Sequence, residues 1–209
     1  MLKRLHVITV LLCVSSSLQA GTAPIGSAVT QGDMQIDHYA VKTTGTIFDG
    51  SVIQTGASVQ SHADVRLGSD AKVSLHNASS GTMYRDHFVL LSGAADLSAS
   101  PAFHMEVNGL VVRSSDLHSD ALISIGPDGT VNVQAHEGSL QVAKDGGTLL
   151  TQVSPEQPLT FRHADNGGWQ FGGSSPWFDR DHHCYVDGGD YDRDGHDCGG
   201  HHHHHHPSK

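Results

Sequence analysis

At 209 residues the chain has room for one ordinary domain with its own core, plus shorter extensions. With 12 Lys+Arg against 22 Asp+Glu and a net charge of -10, it lacks the phosphate neutralisation that nucleic-acid binding requires. Apolar residues at 37%, charged residues at 16% and 24 glycines exclude a charged disordered chain and a membrane bundle, and favour an all-β chain.

In chain order, Lys3 and Arg4 precede an apolar run from Val7 to Val14, a serine stretch, and Leu18-Gln19-Ala20. Residues 1–20 therefore read as a secretory signal peptide cut near Ala20. The run is too short to cross a hydrocarbon core, which takes about 20 apolar residues. A lipoprotein signal is disfavoured because Leu12 precedes Cys13, where a small residue is wanted. The mature chain is expected to be periplasmic or secreted, with no membrane span. Losing Cys13 leaves Cys184 and Cys198, an even count that points to a disulfide in an oxidising compartment. A loop of about 15 residues closed this way gains roughly 3 kcal/mol. The competing reading is a pair of thiolate metal ligands.

Residues 21–41 are an N-terminal segment, and the strand signal begins at residue 42 and runs to residue 162. There apolar and polar residues alternate over four to eight positions between turn residues. Val65 and Leu67 share a face against Asp64 and Arg66; Val73 and Leu75 repeat this, as do Phe103, Met105 and Val107 against His104 and Glu106. Ala121 to Ile125 is a further run, Gly126-Pro127-Asp128-Gly129 a tight turn into Val131, Val133 and Ala135, and Asp145-Gly146-Gly147 another turn. No helical stripe with caps is visible. The expected architecture is one all-β domain of short stacked strands: a sandwich, a roll or an irregular β-solenoid. Residues 163–178, rich in Gly and Ser with Trp169, Phe171, Trp177 and Phe178, read as a linker whose rings can dock on the domain. Residues 179–209 form a largely disordered tail rich in Asp, His and Cys.

The order of motifs carries a family resemblance. Gly45-Thr46-Ile47, Gly50 to Gly56, Val65-Arg66-Leu67, Val73-Ser74-Leu75, Val89 to Ala95 and Val133 to Val142 together resemble the periplasmic domain of the FecR-like family. The resemblance covers about residues 42–161 and rests on spaced glycines and short β runs. It implies a non-catalytic exported β module that presents strand edges and loops to another envelope protein. The cytoplasmic segment and membrane span of the best-known family members are not seen in this sequence, so their relay mechanism is not carried over.

Seven aspartates and two arginines give residues 179–197 a charge of -5, half of the formal -10. Asp190, Asp192 and Asp194 alternate ahead of Gly195, the first half of an EF-hand type calcium loop, with Asp197 close by. The twelfth position is His201 rather than Glu, which speaks against a full EF-hand. The same order, closed by Cys198, resembles the excalibur calcium-binding motif, although Gly199 stands where that motif carries Glu. A solvated acidic tail and weak Ca2+ binding both remain open. His182, His183, His196 and the run His201, His202, His203, His204, His205 and His206 form a second cluster suited to Zn2+, Ni2+ or Cu2+. The run reads either as a native tail or as an expression tag. Asp181-His182-His183-Cys184 matches the palmitoyltransferase signature by coincidence, since that enzyme needs several membrane spans and a cysteine-rich zinc framework.

No nucleophile elbow, HExxH, phosphate loop or thiol with a base is visible, so no catalytic or cofactor-binding residue is assigned and no cofactor is required. His76, His104 and His136 read as solvated histidines on polar strand faces. The favoured function is a non-catalytic FecR-like scaffold or binding module with a metal-binding tail. Its partners are divalent metal ions and another envelope protein met through a strand edge, without nucleic acid. The alternatives are a periplasmic metal buffer or chaperone, and a secreted metal-dependent hydrolase using His182, His183, Asp187 and Asp190.

Overall fold

The computed structural model describes residues 23–68, 70–155, 157–164 and 168–173, and the backbone of 184–186 and 190–192. The strands are Gly26–Gln31 (β1), Met34–Ile36 (β2), Tyr39–Val41 (β3), Thr44–Ile47 (β4), Ser51–Thr55 (β5) and His62–Leu67 (β6). Lys72–Leu75 (β7), Ser80–Met83 (β8), His87–Ser92 (β9), Ala94–Ala99 (β10), His104–Val107 (β11) and Leu110–Ser114 (β12) follow. The series continues with Ser119–Ile125 (β13), Val131–Glu137 (β14), Leu140–Lys144 (β15), Leu149–Val153 (β16), Leu159–His163 (β17) and Trp169–Gly173 (β18). Cys184–Val186 (β19) and Asp190–Asp192 (β20) form a separate two-stranded ladder. Among the described residues there is no helix.

The chain is all-β, as its alternation predicts. Two nine-stranded sheets carry the fold: β18-β17-β14-β13-β10-β7-β6-β1-β4 is the first, and β16-β15-β12-β11-β9-β8-β5-β2-β3 the second. Neither closes on itself. Pairing is antiparallel except between β9 and β11, which run parallel because the chain visits the first sheet as β10 between them.

Period-two patterning decides which side chains face inward. Val65, Val73, Leu75, Met105, Val107, Ile123, Val131 and Val133 are all buried in the layer between the sheets, each worth roughly 1.5–3 kcal/mol of transfer free energy. The sheets also take in residues on both sides of the 42–162 stretch. Ala28, Met34 and Ile36 are buried in β1 and β2, and Trp169 in β18 packs against the core. The sequence signal is faint there because β2 and β3 are three residues each, too short to show a period.

Where the chain turns from one sheet into the other, one device recurs. Gly32, Gly93 and Gly138 take φ of +75°, +80° and +70°, and each backs onto a buried serine: Ser61, Ser79 and Ser119 respectively. Ser61 accepts the Asp33 N–H at 3.2 Å, and Ser79 accepts the Ala94 N–H at 2.9 Å. The corner after Gly138 differs in detail, since Ser119 donates to the Ser139 carbonyl at 3.2 Å while Asp116 accepts the Ser139 N–H at 2.7 Å. These bonds satisfy backbone groups that leave one ladder before joining the next.

Candidate functional site: an open end of the sandwich

Of the residues the sequence nominates for metal or disulfide chemistry, His182, His183, Asp194, His196, Asp197, Cys198 and His201 to His206 lie outside the described residues. So do the signal peptide and Ala20. Cys184, Asp190 and Asp192 are described only as backbone, where Cys184 pairs with Asp192 and Val186 with Asp190. Among the described residues, no group of three His, Cys, Asp or Glu is placed to hold a metal ion.

What the described residues offer is an unfinished end. The first sheet stops at β18 and the second at β16. Across the sandwich β16 lies against β14, so β17 and β18 continue the first sheet two strands further. The register pairs Phe161 with Phe171, placing both on the same, core-facing side. Phe161 is fully buried, yet Phe171 beside it, with ring centroids 5.6 Å apart, is 45% exposed. Leu149 at the start of β16 is 58% exposed, while Leu150 and Leu159 are half-buried against the core.

The edge strands here carry no charge: β16 reads Leu-Leu-Thr-Gln-Val and β18 reads Trp-Gln-Phe-Gly-Gly. Natural edges are usually blunted with charge, proline or irregular backbone, because unpaired N–H and C=O groups invite another strand. The β15–β16 ladder has one irregularity, a register shift between Val142 and Ala143, and the opposite end of the second sheet is protected as well. There Asp37 and His38, at φ of +51° and +69°, twist the turn before β3, and Lys42 follows it.

Elsewhere, rings stack on the outer face of the second sheet. Tyr84 lies 4.4 Å from His87 and His87 5.2 Å from His104, with planes inclined by 14° and 16°. The parallel β9–β11 register sets His87 beside His104, and Arg113 stands opposite His104 in β12. His87 Nδ1 lies 2.8 Å from Asp86 Oδ1, and His104 Nε2 3.4 Å from Glu106 Oε1. His104 is thus not the freely solvated residue expected from its strand position: its side chain is 15% exposed. His76 is 45% exposed and bonded to Asp96 at 2.8 Å, and His136 is exposed.

The pKa values of His104 and His76 are displaced in opposite directions. Burial, the largest influence, pushes His104 below the ordinary imidazole value; Glu106 opposes this, and the Arg113 and His87 charges reinforce it. Hydrogen bonding to Asp96 holds His76 above that value. The fold therefore favours neutral His104, whose contribution is complete above the unfolded value of 6.5 and is lost as pH falls through 6.5 towards the folded value. For His76 the contribution is complete below 6.5 and is lost as pH rises through the raised folded value. Urea midpoints measured between about pH 7.5 and about pH 5 should fall less steeply on acidification for His104→Gln than for the unsubstituted chain. Parallel curves would remove His104 as a source of acid sensitivity.

No helix among the described residues is long and apolar enough to cross a membrane. Compared with protein-family models, curated proteins and solved structures, the chain matches none.

Proposed function

We propose that the chain is an exported, non-catalytic β-scaffold or binding module of the cell envelope, FecR-like in kind and periplasmic or secreted once cleaved near Ala20. The observation that carries this reading is the open end, where an uncharged β16 edge lies beneath the apolar overhang of β17 and β18. An extended segment of an envelope protein added beside β16 gains a ladder of backbone hydrogen bonds and covers Phe171 on the core side, next to Leu149 on the outer side. Affinity then comes from main-chain pairing, and specificity from alternate side chains entering beneath the overhang.

The metal half of the reading rests on composition. Asp190, Asp192, Asp194 and Asp197 supply hard oxygen ligands for Ca2+; His182, His183, His196 and His201 to His206 supply imidazoles for Zn2+, Ni2+ or Cu2+.

Capture of an envelope partner tests the edge. A protein recovered from envelope extract by the unsubstituted chain should be lost with Leu149→Lys/Phe171→Lys, 58% and 45% exposed, in a variant whose urea midpoint shows that it is still folded. Undiminished recovery of that protein would move the interface elsewhere. Calorimetry separates the ions: transition-metal uptake should disappear below the imidazole reference pKa of about 6.5, while Ca2+ uptake persists to lower pH. Alanine at positions 201–206 should reduce the first to what His182, His183 and His196 can hold, and spare the second.

A further inference from the structure

We propose that the stacked pair His87 and His104 makes the β9–β11 junction an acid-released joint, at which the second sheet parts into two halves when both rings take up protons.

The junction differs from every other in the fold. β9 and β11 are the one parallel pair among the described strands, joined over four register pairs from His104–His87 to Val107–Leu90. Parallel pairing is slightly weaker per residue than antiparallel pairing. No hairpin ties the two strands together, because the chain passes through β10 of the first sheet between them. Parting them divides the second sheet into β16-β15-β12-β11 and β9-β8-β5-β2-β3, while the first sheet stays continuous through β13-β10-β7. The half that carries the β16 edge is then held only by its packing on the first sheet and by the chain connections.

Two imidazoles span this junction on its outer face. Their rings stack with centroids 5.2 Å apart and planes inclined by 16°, and Tyr84 caps the His87 side at 4.4 Å. While both rings are neutral, the stack adds contact across a weak pairing. Protonating both sets like charges face to face, with the His104 side chain only 15% exposed.

The surrounding charges do not offset this. Asp86 in the β8–β9 turn bonds to His87 at 2.8 Å, and Glu106 in β11 lies 3.4 Å from His104. Arg85 shares the turn with Asp86, and its N–H donates to Asp49, from the turn before β5, at 2.8 Å. Arg113 from β12 stands opposite His104, and beyond it β15 offers the uncharged Gln141. Asp49, Asp86 and Glu106 outnumber the two arginines while the rings are neutral; two imidazoliums reverse the sign. Burial and the Arg113 and His87 charges hold His104 below the ordinary imidazole value, so acid favours the parted state, in which the ring reaches water.

Hydrogen exchange on the full-length protein at about pH 7.5 and about pH 5, read as protection factors so that intrinsic pH dependence cancels, tests the joint. On acidification the amides bridging the junction, within Phe88–Leu90 and His104–Val107, should lose protection at least about threefold more than those of the β6–β7 ladder. Release of His104 alone supplies up to about thirtyfold at pH 5, from its ordinary value of 6.5. In His87→Gln/His104→Gln, whose side chains cannot take the charge, the excess loss should vanish. Unchanged junction protection in the unsubstituted protein would overturn the proposal, whether or not the variant folds. So would an equal loss in β6–β7, which reports unfolding of the whole body, or the same excess in the variant, which places the acid-sensitive groups elsewhere.

Discussion

Replacing Phe88 with alanine is expected to cost about 3–5 kcal/mol, read as a lower urea midpoint at unchanged slope. Phe88 is completely buried in β9 and stands at the meeting of three strands: its register partners are Met83 in β8 and Met105 in β11, themselves fully buried. Space for its ring is made by Gly81, since a Cβ there would collide with the ring tip and approach the Val89 carbonyl oxygen to 2.6 Å. The two unbranched methionines can swing partly into the void, which places the loss towards the lower end of the range. The reverse change, Gly81→Ala, overfills the same space and should cost about 1–3 kcal/mol. Because the two positions share one cavity, Gly81→Ala/Phe88→Leu should be less damaging than the sum of its parts. Additive losses in that cycle would mean that Gly81 is needed for its backbone and not for the ring.

The pairing of Phe88 with Met105 also marks where reading from sequence alone stops. Alternation is local, so Val65 and Leu67, or Met105 and Val107, reveal their inward face within a few residues, and the structure buries all four. A cross-strand neighbour is not local. His87 and His104 meet because β9 and β11 are parallel partners across an excursion through the other sheet, and no spacing in the sequence encodes that. Hence His104, which alternation assigns to a polar face, ends up shielded by a ring stack. The open end was hidden for a related reason. Trp169 and Phe171 look like loop aromatics between glycines, and only their register with His163 and Phe161 makes them the core-facing side of an edge strand. The tail's chemistry is the converse case: its Asp and His spacing is plain in the sequence, while its ligand geometry lies outside the described residues.

The glycines at the corners where the chain changes sheets lead to the second large effect. Gly93→Ala is expected to destabilise the fold by about 2–4 kcal/mol, the sum of left-handed strain and a steric collision. Gly93 has φ of +80°, and a Cβ built on it would lie 2.7 Å from the Ser79 Cα and closer still to its hydroxyl. That hydroxyl accepts the Ala94 N–H and donates to the Ala94 carbonyl, both at 2.9 Å, so it cannot rotate away without stranding backbone groups inside the protein. Gly138→Ala should behave alike, since its Cβ would sit 2.6 Å from Ser119 Oγ and 2.8 Å from the His118 carbonyl oxygen. Gly109 isolates the cause. It has the same φ of +80°, in the turn between β11 and β12, but nothing lies within 4 Å of its Cβ position. Gly109→Ala therefore carries the conformational cost alone, about 1–2 kcal/mol. A loss at Gly109 as large as at Gly93 would show that backbone handedness, and not the serine packed behind it, makes glycine necessary at the corners where the chain changes sheets.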